Sequence, residues 1–173
     1  MTGDGACLFR AISKAVTGTQ SNHRAVRLAL INFMLHQENA IRFARYLFAP
    51  IYNTQEKALK CLESYIESSG MHRITSWGSD KEIVVAATLF QANINIFCSY
   101  GSKRSWTTVG PAFFNSTCMP KANVELYLYH RGKREDRHYD VGENTQQPDQ
   151  CTCGSSTTAH KHTCPLNPRN ITI

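Results

Sequence analysis

Apolar side chains recur every three or four positions along the first ninety residues, the spacing that places them on one face of an α-helix. This pattern predicts five helices, at residues 8–16, 21–36, 38–48, 54–70 and 79–91. Ser79 and Glu82 stand in the Ser-x-x-Glu relation of a capping box, so the fifth helix is expected to begin there. Its body is apolar on nearly every side, which indicates a helix enclosed by the core.

The pattern changes near residue 93, where apolar and polar residues begin to alternate as they do along half-buried strands. Strands are predicted at residues 93–98, 106–109, 124–129 and 138–141. The helices come first, and the strands then gather around the fifth helix. The sequence therefore predicts an α+β, or mixed α/β, fold with a small, mostly antiparallel central sheet and a helical lobe.

The composition agrees with one domain followed by a short appendage. The chain has 173 residues, of which 42% are hydrophobic and 18% charged, enough apolar material for a packed core. Residues 143–150 contain no apolar residue and predict a linker. We therefore divide the chain into a domain at 1–142, the linker at 143–150, and a tail rich in cysteine and histidine at 151–173.

Several classes of protein are disfavoured by what the chain lacks. No stretch approaches the roughly 18 apolar residues of a membrane-spanning helix, and residues 1–7 do not resemble a secretory signal. We therefore expect an intracellular protein without membrane contact, in the cytoplasm or alternatively the nucleus. The seven cysteines, an odd number, are expected to be reduced.

The net charge of +6 is spread thinly along the chain. Residues 131–173 hold six basic and five acidic groups, +1, which leaves +5 on residues 1–130, and no block of like charges occurs. Such a surface favours acidic partners over basic ones, but it supports nucleic-acid binding only weakly. We expect a monomer.

Cys7 combines two features that favour nucleophilic chemistry. It follows the turn at Asp4-Gly5-Ala6 and opens the first predicted helix, where the helix dipole and free N–H groups favour thiolate over thiol. The backbone N–H groups of Gly5, Ala6 and Cys7 could also receive the negative oxygen formed when a thiolate attacks a carbonyl. The alternative is that Cys7 is a small buried residue at a helix start.

Among the seven histidines, His138 has an acidic residue, Asp140, two positions further on. Residues i and i+2 of an extended segment lie on the same side of it. Asp140 could therefore accept a hydrogen bond from one imidazole nitrogen and hold the other nitrogen toward Cys7. The alternative is a surface histidine beside a solvated aspartate.

Three segments resemble the sequence blocks of the OTU (ovarian tumour) family of cysteine proteases. Residues 4–11, with the sequence DGACLFRA, are similar to the nucleophile segment Asp-Gly-x-Cys-Leu-Phe-Arg-Ala of that family. Residues 77–82, WGSDKE, resemble its Trp-Gly-x-x-x-Glu block, and residues 138–141, HYDV, resemble its terminal His-Tyr-Asp segment. The three blocks occur in the family's order.

The resemblance implies a papain-like OTU fold and a deubiquitinase, which uses a thiol to hydrolyse (iso)peptide bonds at the C-terminal glycine of ubiquitin. It makes Cys7 the nucleophile, His138 the general base and later acid, and Asp140 the residue that orients His138. It also places Asp4 in the active site, where it would organise the Cys7 loop or the oxyanion site. Ubiquitin or ubiquitinated proteins would be the partners, and catalysis would need no cofactor.

By the same analogy, Trp77 and Glu82 are expected to hold the start of the fifth helix against the sheet. Residues 131–137 are expected to border the cleft that receives the ubiquitin C-terminal tail. Two other functions stay open. One is a catalytically inactive OTU-like module that binds ubiquitin or another partner. The other is a protease that processes the polyprotein of a mobile element or virus and carries a nucleic-acid-binding zinc tail.

The tail holds five soft or borderline metal ligands within fourteen residues: Cys151, Cys153, His160, His162 and Cys164. Four of the five could surround one tetrahedral Zn²⁺, as in a small zinc knuckle. Metal binding would then supply the folding energy, because the tail has no apolar core of its own. The alternative is an unstructured tail whose thiols are incidental.

Overall fold

The computed structural model describes residues 5–100, 103–113, 124–131 and 138–142. Within these ranges the chain forms five α-helices followed by four β-strands, the order that the sequence predicts. The helices are α1 (Cys7–Thr17), α2 (His23–Leu35), α3 (Gln37–Leu47), α4 (Gln55–Ser69) and α5 (Asp80–Phe90). The strands are β1 (Ala92–Tyr100), β2 (Lys103–Val109), β3 (Val124–Arg131) and β4 (His138–Val141).

The ends of the helices follow from local chemistry. Gly18 and Gly70 terminate α1 and α4 in the left-handed conformation, and the Thr54 side chain caps α4 by accepting from the Lys57 N–H. The predicted start of the second helix at residue 21 is wrong. Residues 20–22 form a short 3-10 turn capped by Thr19, and α2 begins after it.

The four strands form one sheet in the order β2-β1-β3-β4. The outer pairs, β1 with β2 and β3 with β4, are antiparallel, whereas the central pair β1 and β3 is parallel. Two of the three pairings are thus antiparallel, which confirms the predicted small, mostly antiparallel sheet in an α+β fold. α5 packs against β1, and α1 packs against both β3 and β4.

Glu82 fixes the start of α5 as the capping box predicts. Its carboxylate accepts from the Ser79 N–H and from the Tyr65 hydroxyl, and only 3% of the residue is exposed. Burial raises the pKa of Tyr65 above its ordinary value of 10, and the nearby Glu82 carboxylate raises it further. The hydroxyl therefore keeps its proton and donates. Trp77 is 49% exposed and lies outside the core, so its role in holding this helix start stays a prediction.

Two glycines with positive φ bracket α1, and they differ in their surroundings. Gly5 (φ +80°) lies so close to the loop before α5 that a Cβ would sit 1.9 Å from the Thr75 carbonyl oxygen. Gly18 (φ +74°) is open, because a Cβ there would meet no described atom within 4 Å. Both glycines adopt the left-handed conformation, but only Gly5 also lacks the space for a side chain.

These surroundings predict unequal effects of the same substitution. Gly18→Ala should lower the free energy of unfolding by about 1 kcal/mol, the cost of a left-handed L-residue. Gly5→Ala should cost more, because the backbone of residue 5 or 75 must also move. Urea unfolding of both variants tests this. Equal losses would mean that the Gly5 turn relaxes freely and is not constrained by the loop.

The Glu82 contacts give a second prediction. Glu82→Ala leaves the Ser79 N–H and the Tyr65 hydroxyl without this acceptor, and should lower the free energy of unfolding by roughly 1–3 kcal/mol. The matched control is Glu63→Ala on the exposed face of α4, which should change it by less than about 0.5 kcal/mol. A similar loss in both variants, measured in urea, would contradict the role given to Glu82.

Candidate active site

Cys7 is the first residue of α1 and directly follows the tight Gly5 turn. The first bond of the helix runs from the Arg10 N–H to the Ala6 carbonyl at 2.9 Å. The N–H groups before Arg10 therefore point out of the helix start, where they and the positive end of the helix dipole favour an anion. The predicted arrangement of a turn, a cysteine and a helix is confirmed.

His138 and Asp140 lie on the same side of β4, as their spacing predicts. His138 Nε2 is 3.4 Å from Asp140 Oδ1, and the two side chains are 15% and 24% exposed. Asp140 thus faces Nε2, although this buried nitrogen makes no hydrogen bond with any described residue. This geometry agrees with an oriented histidine rather than with a surface histidine beside a solvated aspartate.

The intervening Tyr139 holds β4 in place. It is 7% exposed, and its ring stacks on that of His130 in β3 with 4.3 Å between the ring centroids. Because side chains alternate along a strand, burial of Tyr139 directs His138 and Asp140 to the opposite side. α1 packs against β4, so the helix that starts with Cys7 and the strand that starts with His138 are neighbours although 131 positions separate the two residues.

A further residue at the site is Arg131. Its Nη2 lies 3.2 Å from Asp140 Oδ2, the carboxylate oxygen that does not face His138. The sequence placed Arg131 only at the edge of a charged loop. The predicted strand ended at residue 129, but β3 continues to Arg131 and pairs it with His138 in the antiparallel register. Residues 132–137 lie outside the described part of the chain.

The thiol of Cys7 is covered. Cys7 is 1% exposed and belongs to the hydrophobic core, together with its neighbours Leu8 and Phe9. Burial agrees with the alternative that Cys7 is a small core residue, whereas its position at the helix start agrees with a nucleophile. For a substrate carbonyl to reach the sulfur, the groups that cover Cys7 must first move.

Other predicted site residues lie outside the described residues. These are Asp4 and the five candidate zinc ligands Cys151, Cys153, His160, His162 and Cys164, whose roles stay predictions. Within the described ranges no group of three or more histidine, cysteine, aspartate and glutamate side chains is placed to hold a metal ion. No helix there has the length and apolar character needed to cross a membrane.

Comparison with solved structures confirms the fold. The OTU domain of OTUD1 has 20% identity and a TM-score of 0.54, over 82% of this chain and 81% of that chain. The viral OTU domain protease from Farallon virus has 18% identity and a TM-score of 0.57, over 82% and 79%. The corresponding protease from Qalyub virus has 18% identity and a TM-score of 0.50, over 82% and 79%. The comparison with curated proteins gives no match.

The sequence model of the family described as OTU-like cysteine protease matches residues 2–139. This range includes Cys7 and His138 and extends over most of the chain. The family resemblance drawn from the three sequence blocks is thereby confirmed. The chain belongs to the OTU-like cysteine protease family.

Proposed function

We propose that this chain is a deubiquitinase, a thiol-dependent hydrolase of (iso)peptide bonds at the C-terminal glycine of ubiquitin. The observation that supports this most is the imidazole–carboxylate pair on β4, next to the helix that begins with Cys7. Membership of the family supports a cysteine protease. Ubiquitin as the acyl donor is the more specific part of the proposal, and it comes from the resemblance of the sequence blocks.

The proposed reaction uses groups of the chain alone. Cys7 loses its proton to His138 Nδ1, and the thiolate attacks the glycine carbonyl carbon to form a tetrahedral intermediate. The backbone N–H groups of Gly5, Ala6 and Cys7 hold its oxyanion. His138 then protonates the departing amine, so that the C–N bond breaks and a thioester remains.

Water completes the cycle. His138 takes a proton from a water molecule whose oxygen attacks the thioester, and the C–S bond breaks to release the carboxylate and the Cys7 thiolate. In this proposal Asp140, which lies 3.4 Å from Nε2, accepts a hydrogen bond from it during the reaction and holds the ring orientation while Nδ1 gains and loses the proton. Asp4 is assigned by analogy to the same site, and we expect the active form to be a monomer.

The burial of Cys7 favours a second candidate, the catalytically inactive module that binds ubiquitin. A thiol that is 1% exposed does not meet a substrate without rearrangement. In this candidate the chain still binds ubiquitin, but Cys7 is never uncovered. The two candidates differ in one measurable property, the covalent reactivity of Cys7 in the presence of ubiquitin.

An activity probe, ubiquitin with an electrophile at its C-terminus, separates the candidates. We expect a covalent adduct with the wild-type chain and none with Cys7→Ala, because the thiolate is the attacking group. Cys61→Ala on α4 is the matched cysteine control and should still be labelled. His138→Ala should lower the labelling rate by roughly 10²–10⁴-fold, the range for loss of a general base.

Three outcomes of the probe experiment would contradict the proposal. A folded wild-type chain that binds ubiquitin in a titration but forms no adduct would establish the inactive module. An adduct that persists in Cys7→Ala would remove Cys7 as the nucleophile. Full-rate labelling of His138→Ala would remove the assigned base.

The contact between Arg131 and Asp140 predicts a small, salt-sensitive effect. Arg131 is 58% exposed, and an exposed ion pair contributes about 0.2–1 kcal/mol, so Arg131→Gln should lower kcat/KM by no more than about fivefold. The loss should shrink at high salt, because salt screens exposed charges. Steady-state kinetics on a fluorogenic ubiquitin conjugate at two salt concentrations would measure it.

Arg104→Gln provides the matched control. It removes the same charge from β2, at the opposite edge of the sheet from β4. A loss confined to Arg131→Gln supports the local ion pair with Asp140. Equal losses in the two variants would instead assign the effect to the net charge of the chain.

A further inference from the structure

A buried arginine lies behind the candidate active site and takes no part in the chemistry described above. Arg27, on α2, is 3% exposed, and its guanidinium carbon lies 3.7 Å from the centroid of the Phe9 ring. Phe9 follows Cys7 by two positions on α1. Arg27 thus contacts the first turn of the helix that carries the candidate nucleophile.

The guanidinium also binds the segment that joins α4 to α5. Nη1 donates to the Met71 carbonyl at 3.0 Å, and Nη2 donates to the carbonyls of Ile74 at 3.1 Å and Ser76 at 2.8 Å. These three acceptors belong to residues 71–76, which we name the 71–76 loop. One planar side chain thereby fixes the backbone of the loop at its beginning, middle and end.

Besides Arg27, the 71–76 loop is anchored at its beginning, where Met71 is buried in the core and its N–H donates to the Ile66 carbonyl of α4 at 3.0 Å. The side chains of residues 72–75 are all exposed, so apolar burial contributes little there. Further along, the Arg73 N–H bonds the carbonyl of Gly70, the residue that ends α4, at 2.7 Å, and the Ser76 N–H bonds the Arg73 carbonyl at 3.2 Å. These bonds shape the loop and join it to the end of α4, whereas the bonds from Arg27 join it to α2.

The loop in turn bounds the Gly5 turn. The Thr75 carbonyl stands where a side chain of residue 5 would be, at 1.9 Å from an ideal Cβ. Just beyond the loop, Gly78 packs on α1, since a Cβ there would lie 2.5 Å from the Leu8 Cδ2 atom. The backbone before Cys7 therefore rests against a loop that Arg27 bonds at three carbonyl groups.

We propose that Arg27 is a positioning residue for the nucleophile. It holds the 71–76 loop in the place against which Gly5 packs, and so fixes the turn that sets the direction of the Cys7 thiol and of the neighbouring N–H groups. The part of this inference that concerns catalysis rests on the proposed function. The part that concerns the order of the turn does not.

The chemistry of the side chain supports this role. A buried charge costs free energy, because it is removed from water. The planar guanidinium, however, can bond three carbonyls while its face lies on an aromatic ring, which a lysine ammonium cannot reproduce. Arg27 is therefore suited to placing this loop, and its loss would leave three carbonyl groups without this donor.

Two substitutions of Arg27 separate the effects of its charge, its hydrogen-bond donors and its apolar stem. Arg27→Met keeps an apolar stem beside Phe9 and removes all three donors, while Arg27→Lys keeps the charge without the planar fork. Phe43→Leu is the control for general destabilisation, because Phe43 is a fully buried residue of α3 that packs on Phe33 and Phe113. Thermal unfolding would first establish how much stability each variant loses.

The kinetic readout uses the fluorogenic ubiquitin conjugate at a temperature where each variant is folded. Arg27→Met should lower kcat by about 10²-fold with little change in KM, since small misplacements of reacting groups cost that much. The kcat of Arg27→Lys should lie between those of Arg27→Met and wild type. Phe43→Leu should leave kcat nearly unchanged. A loss of kcat in Arg27→Met no larger than that in Phe43→Leu would overturn the proposal.

Hydrogen exchange provides a readout that does not depend on activity. Backbone amides of residues 5–10 and 71–78 should exchange faster in Arg27→Met than in Phe43→Leu, and no selective increase there would also overturn the proposal. If wild type proves inactive on ubiquitin, the proposed function fails while this measurement still decides the role of Arg27. If Arg27→Met does not fold, the same comparison is made with Arg27→Lys.

Discussion

The arrangement of the site depends on the burial of α1. The residues of its first two turns, from Cys7 to Ser13, are buried apart from Arg10, and the helix is packed against β3 and β4 on one side and against α2 on another. A helix enclosed in this way has no freedom to rotate or slide without opening the core. The position of its first residue is therefore set by the whole domain, although the turn in front of it is only a few residues long.

The same packing joins residues that are far apart in the sequence. β4 is four residues long and lies at the edge of the sheet, where a short strand would by itself be weakly held. The buried Tyr139, stacked on His130, and the contact with α1 compensate for this. Fixing one side of β4 in the core also fixes the direction of His138 and Asp140 on the other.

Much of the fold and the pairing of His138 with Asp140 could be predicted, because the sequence patterns that indicate them are local. Periodicity located the five helices and four strands, the relation between Ser79 and Glu82 located the start of α5, and the alternation of an extended segment paired His138 with Asp140. Alternation does not determine the direction of a neighbouring strand, so the parallel pairing of β1 and β3 followed only from the structure.

What the sequence could not predict are contacts with distant backbone. The partners of Arg27 are carbonyl groups 44 to 49 positions further along the chain, and any residue type supplies a carbonyl. Arg131 was missed because strand ends are poorly marked by composition, and two additional residues of β3 bring it beside Asp140. The exposure of Trp77 shows that a large apolar side chain just before a helix need not face the core.

The covered thiol has a consequence for when the chain can react. Oxidation by dissolved peroxide requires an accessible thiolate, so a sulfur enclosed in the core is protected while no substrate is bound. Uncovering it takes free energy, which a large ligand can supply from contacts remote from the scissile bond and a small electrophile cannot. In the proposed hydrolase, burial of Cys7 therefore discriminates by ligand size before any bond is made or broken.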